Sequence, residues 1–98
     1  MFSYKLFKEH NDKLLAIADE NLVGKSFAEG SDEITVSEDF YSENRCSEED
    51  IIRIISEATI VNAIGKDIIS LMIKENIIDE GKVLNICGVP HAQIVVIK

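Results

Sequence analysis

The chain has no tryptophan, one proline, two cysteines, five glycines and six aromatic residues in 98. So little proline and glycine excludes a linker-rich, collagenous or low-complexity chain. No apolar run approaches the roughly 20 residues a membrane helix needs, runs such as Ile94–Ile97 falling far short of it. The first eight residues carry no basic region, apolar stretch and small-residue cleavage site of a secretory signal, so the expected location is the cytoplasm. Cys46 and Cys87 form no C-x-x-C pair, which removes zinc-ribbon and thioredoxin-like readings and leaves free thiols as the expectation. Together with His10 and His91 they make four possible metal ligands, but only Cys87 and His91 are close in sequence, so no metal site and no cofactor is expected.

Present instead are 46% apolar and 29% charged residues, the balance of one soluble domain spanning residues 1–98. A domain this size buries about two thirds of its unfolded surface, enough for one modest core. The formal charge of −8 is concentrated. Glu29, Asp32, Glu33, Glu38, Asp39, Glu43, Glu48, Glu49 and Asp50 face only Arg45 within residues 29–50, while the flanking stretches are each neutral. Such a segment repels phosphate backbones, so non-specific nucleic-acid binding is not expected. Glu38, Asp39, Glu43, Glu48 and Glu49 are instead the candidate docking face for a basic protein partner.

Alternation of Phe2, Tyr4 and Leu6 with polar neighbours, a polar turn at residues 8–13 and the apolar run 14–18 predict a β-hairpin. A third strand is expected over Leu22–Phe27, with Gly24 as a bulge, then a turn around Gly30 and a short strand Ile34–Val36. Phe40-Tyr41, alone among acids, is expected to plug the edge of the core.

Ser47 followed by Glu48, Glu49 and Asp50 predicts a helix start, with Ile51, Ile54, Ile55 and Ala58 at helical spacing. Continued past Thr59, that helix places Asn62 on its apolar face and Gly65 three residues later. A second helix is expected over Lys66–Glu75, stopped at Asn76. Strands over 83–87 and 92–97 flank a turn, Gly88-Val89-Pro90-His91, the last strand being buried on both faces for want of alternation. The fold class is α+β: a mixed or antiparallel sheet of about five strands with two helices on one face.

Gly24-Lys25-Ser26 resembles the end of a phosphate loop, but the first glycine of that motif falls on Asp19, and no strand-loop-helix pattern surrounds it. No serine or cysteine sits in a nucleophile signature. The polar groups that stand out are Asn62, expected to bond the backbone of residues 87–93, and His91 beside a rigid turn. With Gly88, Pro90 and Gln93 they form the candidate binding site. A small enzyme or ligand-binding pocket around His91, Asn62 and Gln93 is therefore the competing reading to an interaction module.

Four segments in order resemble the motif series of a small archaeal family, domain-of-unknown-function 424: residues 19–27 (DENLVGKSF), Phe40-Tyr41, residues 58–65 (ATIVNAIG) and residues 88–93 (GVPHAQ). The resemblance spans nearly the whole chain and implies an archaeal, cytoplasmic, single-domain protein with no assigned reaction and no catalytic residue to carry over. Association with translation or another RNA-handling assembly is the expected setting. The family pattern implies a cysteine before the first segment and a glycine after Phe-Tyr. Ala18 and Ser42 stand there in this chain, so a metal or redox role built on that cysteine does not transfer.

Overall fold

The computed structural model describes residues 1–96. Strands β1 (Phe2–Glu9) and β2 (Asp12–Asp19) form the expected hairpin, closed by the two residues His10-Asn11. A 3-10 turn (Glu20–Leu22) leads to a small hairpin of β3 (Ser26–Glu29) and β4 (Asp32–Thr35), then to the one-turn helix α1 (Glu38–Tyr41). After β5 (Asn44–Cys46) come α2 (Glu48–Ser56), β6 (Ile60–Ile64), α3 (Lys66–Lys74), a 3-10 turn (Glu80–Lys82), β7 (Leu84–Ile86) and β8 (Val89–Val95).

Six strands build one mixed sheet in the order β5-β1-β2-β6-β8-β7. All neighbours are antiparallel except β2 and β6, which run parallel with Leu14 opposite Ile60 and Ala18 opposite Ile64. The α+β expectation is met with more strands than foreseen, and α2 and α3 cover one face of the sheet. Their inward residues Ile51, Ile54, Ile55, Ile68, Leu71 and Met72 pack on Leu15, Ile17, Val61 and Ala63. Because side chains alternate across a strand, the intervening Ala16, Ala18 and Ile64 point the other way, into a second core with Val36 and Tyr41 beneath the β3–β4 hairpin and α1.

Four expectations are corrected. The helix beginning after Ser47 ends at Ser56, and residues 60–64 form a central strand. The β-branched run Thr59-Ile60-Val61 and the alternation of Val61 and Ala63 against Asn62 outweigh the helical spacing of Ala58 and Asn62. The third strand begins only at Ser26, since Leu22 lies in the 3-10 turn and Gly24, at φ 90°, is a turn residue whose N–H bonds the Val36 carbonyl at 2.6 Å. Residues 88–91 are not a turn. The loop is Cys87-Gly88 alone, both at positive φ as a tight primed hairpin turn requires, and Pro90 and His91 lie within β8. Finally, β8 is not buried on both faces, for Val95 is 72% exposed. Ile97, at the end of the predicted strand, lies outside the described residues.

Proline fits inside β8 for a specific reason. Val96 N–H bonds the Thr59 carbonyl at 2.8 Å and Gly65 N–H bonds the Pro90 carbonyl at 2.9 Å, so even-numbered β8 residues face β6. An N–H at position 90 would meet the Gly65 carbonyl, which already accepts from Ile69 N–H at 3.1 Å as α3 begins. The missing donor is thus not missed.

The two ends of the parallel pair are tied by side chains. At one end Thr59 Oγ1 accepts from Lys13 N–H at 2.9 Å and donates to Asp12 Oδ1 at 3.1 Å. At the other, the buried carboxylate of Asp19 accepts the N–H groups of Asp67 and Ile68, each at 2.9 Å, and so caps α3 from β2. Gly65, at φ 128°, allows the approach: a Cβ there would fall inside the Asp19 carboxyl group. Replacing Asp19 by Asn leaves one N–H facing an amide NH2, and the expected loss in urea unfolding is about 0.5–2 kcal/mol, as for a lost cap. Gly65→Ala, which adds both steric overlap and a strained φ, is expected to lower the unfolding midpoint further than Asp19→Asn does.

Candidate functional site

The sheet face under the β3–β4 hairpin carries a polar knot. Registers place Ala16, Asn62 and Gln93 in one row across β2, β6 and β8, and Ala18, Ile64, His91 and Leu84 in the next. The small alanine side chains on β2 leave room above the sheet for Tyr41, delivered by α1 and buried against Phe40, whose ring in turn stacks on Phe7 at 5.2 Å. Ser37 starts that helix by accepting from Phe40 N–H at 3.2 Å.

Asn62 Oδ1 receives the Tyr41 hydroxyl at 3.2 Å and lies 2.8 Å from His91 Nε2. An amide oxygen only accepts, so the proton of the neutral imidazole resides on Nε2 and the Nδ1 lone pair is left free. Burial pushes the Tyr41 hydroxyl up to about 12 and holds His91 below its ordinary 6.5. Both groups are therefore neutral near pH 7, as a hydrogen-bonded knot in a low-dielectric setting favours.

Asn62 and His91 are thus brought together, though by side-chain contact between adjacent strands and not by the expected bond to backbone. Gln93 stands directly opposite Asn62, exposed, and borders a cleft of about 400 Å3 with Asn76, Asp79 and Lys82. Gly88 lies apart in the exposed turn, on a separate cleft of about 320 Å3 lined by Asp19, Asn21, Leu22, Lys66 and Cys87. Pro90 faces Gly65. Neither of these clefts is lined by His91 or Asn62.

Two residues that organise this region, Tyr41 and Asp19, carry no motif that marks them. Tyr41 was read as packing alone, although a buried phenol calls for an acceptor. Asp19, the last residue of β2 and directly before the 3-10 turn, is singled out in the sequence only where a phosphate loop would need glycine, because its partners on α3 are 48 and 49 residues away.

The five carboxylates of the candidate docking face are all exposed but not on one surface. Glu38 and Asp39 sit on the first turn of α1, above one sheet face; Glu48 and Glu49 sit on the first turn of α2, above the other; Glu43 lies in the link before β5. The chain passes around the β5 edge between them, so the five carboxylates line a rim on both sides of that edge. Glu43 is 3.8 Å from Lys5 Nζ, while Arg45 on β5 pairs with Glu20. Ser47 donates to Asp50 Oδ2 at 3.3 Å, a side-chain version of the capping box that starts α2.

Cys46 is buried, its thiol pushed up chiefly by burial, and Cys87 is exposed with Sγ against the Ala28 carbonyl at 2.6 Å. Among the described residues no group of three His, Cys, Asp or Glu side chains is gathered to hold a metal. Among the described residues no helix is long and apolar enough to cross a membrane.

Fold and site together define a small α+β domain whose mixed sheet is sandwiched between two helices and a hairpin. The chain belongs to the family described as "Protein of unknown function (DUF424)", whose sequence profile matches residues 7–97. It is similar in fold to an uncharacterized conserved protein from Methanopyrus kandleri, known from a crystal structure. The TM-score is 0.77 at 22% identity, covering 95% of this chain and 89% of that one. That archaeal neighbour accords with the archaeal family expected from the motifs. No curated protein matches the chain.

Removing the acceptor of the knot tests its worth. Asn62→Leu leaves the Tyr41 hydroxyl and the His91 ring unpaired, and the expected destabilisation in chemical unfolding is about 1–3 kcal/mol. With Tyr41→Phe added, the loss should be smaller than the sum of the single losses, since the two share one bond. The pH dependence has a definite sign. His91 is held below 6.5 in the fold, so the native state binds fewer protons than the unfolded chain just below that value. Its contribution is complete above pH 6.5 and is lost as pH falls through the folded value. Measured by thermal melts across that window, this slope should be reduced in His91→Gln.

Proposed function

We propose that this domain is a non-catalytic interaction module that binds a basic protein partner along the acidic rim around β5. The observation that carries the reading is the segregation of charge: the entire excess of −8 lies in residues 29–50, and its carboxylates at 38, 39, 43, 48 and 49 all face solvent. Surface fields of this kind steer association and select partner sign more than they add affinity. The setting proposed for it is an archaeal translation or other RNA-handling assembly, where basic proteins are the common neighbours.

Catalysis around His91, Asn62 and Gln93 is the weaker reading because the Asn62 oxygen already accepts from both Tyr41 and His91. What favours it is the free Nδ1 of a neutral imidazole, a group suited to accept a proton or hydrogen bond.

Capture from native lysate on immobilised protein tests the docking reading. Replacing Glu38, Asp39 and Glu43 by Gln, Asn and Gln should weaken capture of a basic protein and flatten its salt dependence, with the melting temperature little changed. Capture that is equal in the variant across salt concentrations overturns the reading. Isolated protein at micromolar concentration is further expected to leave random single-stranded and duplex RNA unshifted in physiological salt. A salt-sensitive gel shift contradicts that expectation.

A further inference from the structure

The two edges of the main sheet are built differently. At one edge β5 is three residues long, carries Arg45 and is flanked by acids, the ordinary devices that keep an edge from pairing with another chain. At the other edge β7 is also three residues long, but it covers only Val89–His91 of the longer β8. The alternation that turns the backbone of Ala92, Ile94 and Val96 toward β6 turns the N–H and C=O groups of Gln93 and Val95 outward, past the start of β7. Among the described residues no strand pairs with them. The stretch itself lacks the sequence devices that blunt an edge: residues 92–96 contain no charge, no proline and no bulge, and the neighbouring segment 76–82 is separated from it by the cleft that Gln93 and Val95 line. Val95 is 72% exposed and Leu84, on the same face, 64%. On the opposite face Ile94 and Val96 line an apolar cleft of about 400 Å3 with Ile52, Ile55 and Ile77.

We propose that the open edge of β8 is a self-association site, where a second copy of this chain adds its own β8 antiparallel. A two-fold centred on Ile94 sets Gln93 opposite Val95 of the second copy and Val95 opposite its Gln93. That register pairs all four outward backbone groups of each copy in hydrogen-bonded pairs, with Ile94 against Ile94 between them. Charge singles out a second copy over the basic partner of the acidic rim. Each copy carries −8, so acid would meet acid at the β5 rim, whereas the β8 edge is uncharged and its flanking cleft holds one charge of each sign, Asp79 and Lys82. Four paired residues bury little area, so the dimer belongs to the weak class that forms at tens of micromolar and above.

Sedimentation velocity of the intact protein from about 10 μM to 1 mM, with backbone amide exchange at both ends of that range, tests the proposal. The expected result is a concentration-dependent dimer, with exchange at Gln93 and Val95 slowing as concentration rises while amides of β5 stay constant. Val95→Pro removes only an outward N–H and should weaken the dimer at least about tenfold with the β6 ladder intact. Val95→Lys, which places like charges beside the two-fold, should do the same and serves if the proline variant fails to fold. A monomer at 1 mM overturns the proposal, leaving the edge to an extended segment of another protein. So does a dimer that survives both substitutions, or exchange at Gln93 and Val95 that ignores concentration.

Discussion

The buried carboxylate of Asp19 is the contact on which the architecture turns. It ends β2, yet its two acceptor bonds go to the first turn of α3, which follows β6. One side chain therefore fixes how the N-terminal hairpin meets the C-terminal half, which strand lies beside β2, and where the helix above them begins. The carboxylate is placed where the exposed N–H groups and the positive end of the helix dipole favour an acceptor. Burial works against its charge and pushes its pKa above the ordinary value despite those two bonds. Net stabilisation thus comes from satisfying donors that would otherwise be buried unpaired, more than from attraction between charges.

From that clamp the asymmetry of the two sheet faces follows. Where α2 and α3 pack, β2 and β6 present Leu15, Ile17 and Val61; where the hairpin and α1 pack, β2 presents only Ala16 and Ala18. The thin alanine floor is what admits a tyrosine, an asparagine and a histidine in contact. A larger residue at Ala16 would displace Tyr41 and open the knot. Polar groups in a core this small confer a unique arrangement more than added stability, because each is costly unless matched.

Elements with strong local signals were readable from sequence: the first hairpin, the start of α2 at Ser47, and α3 with its stop at Asn76, which does adopt a left-handed φ of 58°. What escaped was decided by tertiary contact. Residues 60–64 satisfy helical spacing and strand alternation about equally, and only partners on both sides, β2 and β8, select the strand. β5 is only three residues, Asn44 and Arg45 exposed and Cys46 buried, too short to carry a periodic signal, and pairing with the edge of β1 is what holds it extended. Asn62 stands out in the sequence as an amide on an apolar stripe, and in the structure it is half-buried with the Tyr41 hydroxyl and the His91 ring as partners. The element carrying it was misread, so the partner became backbone where the structure uses side chains. The acidic segment was legible as composition, while its division over two layers needed the path of the chain.

That path has a kinetic consequence. Between β2 and β6 the chain covers one face with the β3–β4 hairpin and α1, rounds the sheet at β5, and covers the other face with α2 before entering the centre of the sheet. The hairpin of β1 and β2, and the unit of α3, β7 and β8, each rest on contacts between near neighbours in sequence. Joining them closes a loop of about forty residues, an entropic cost met before any of the pairing it permits is gained. The slow step of folding is therefore the arrival of β6 beside β2, and the wrapping segment is the part whose order depends on that arrival.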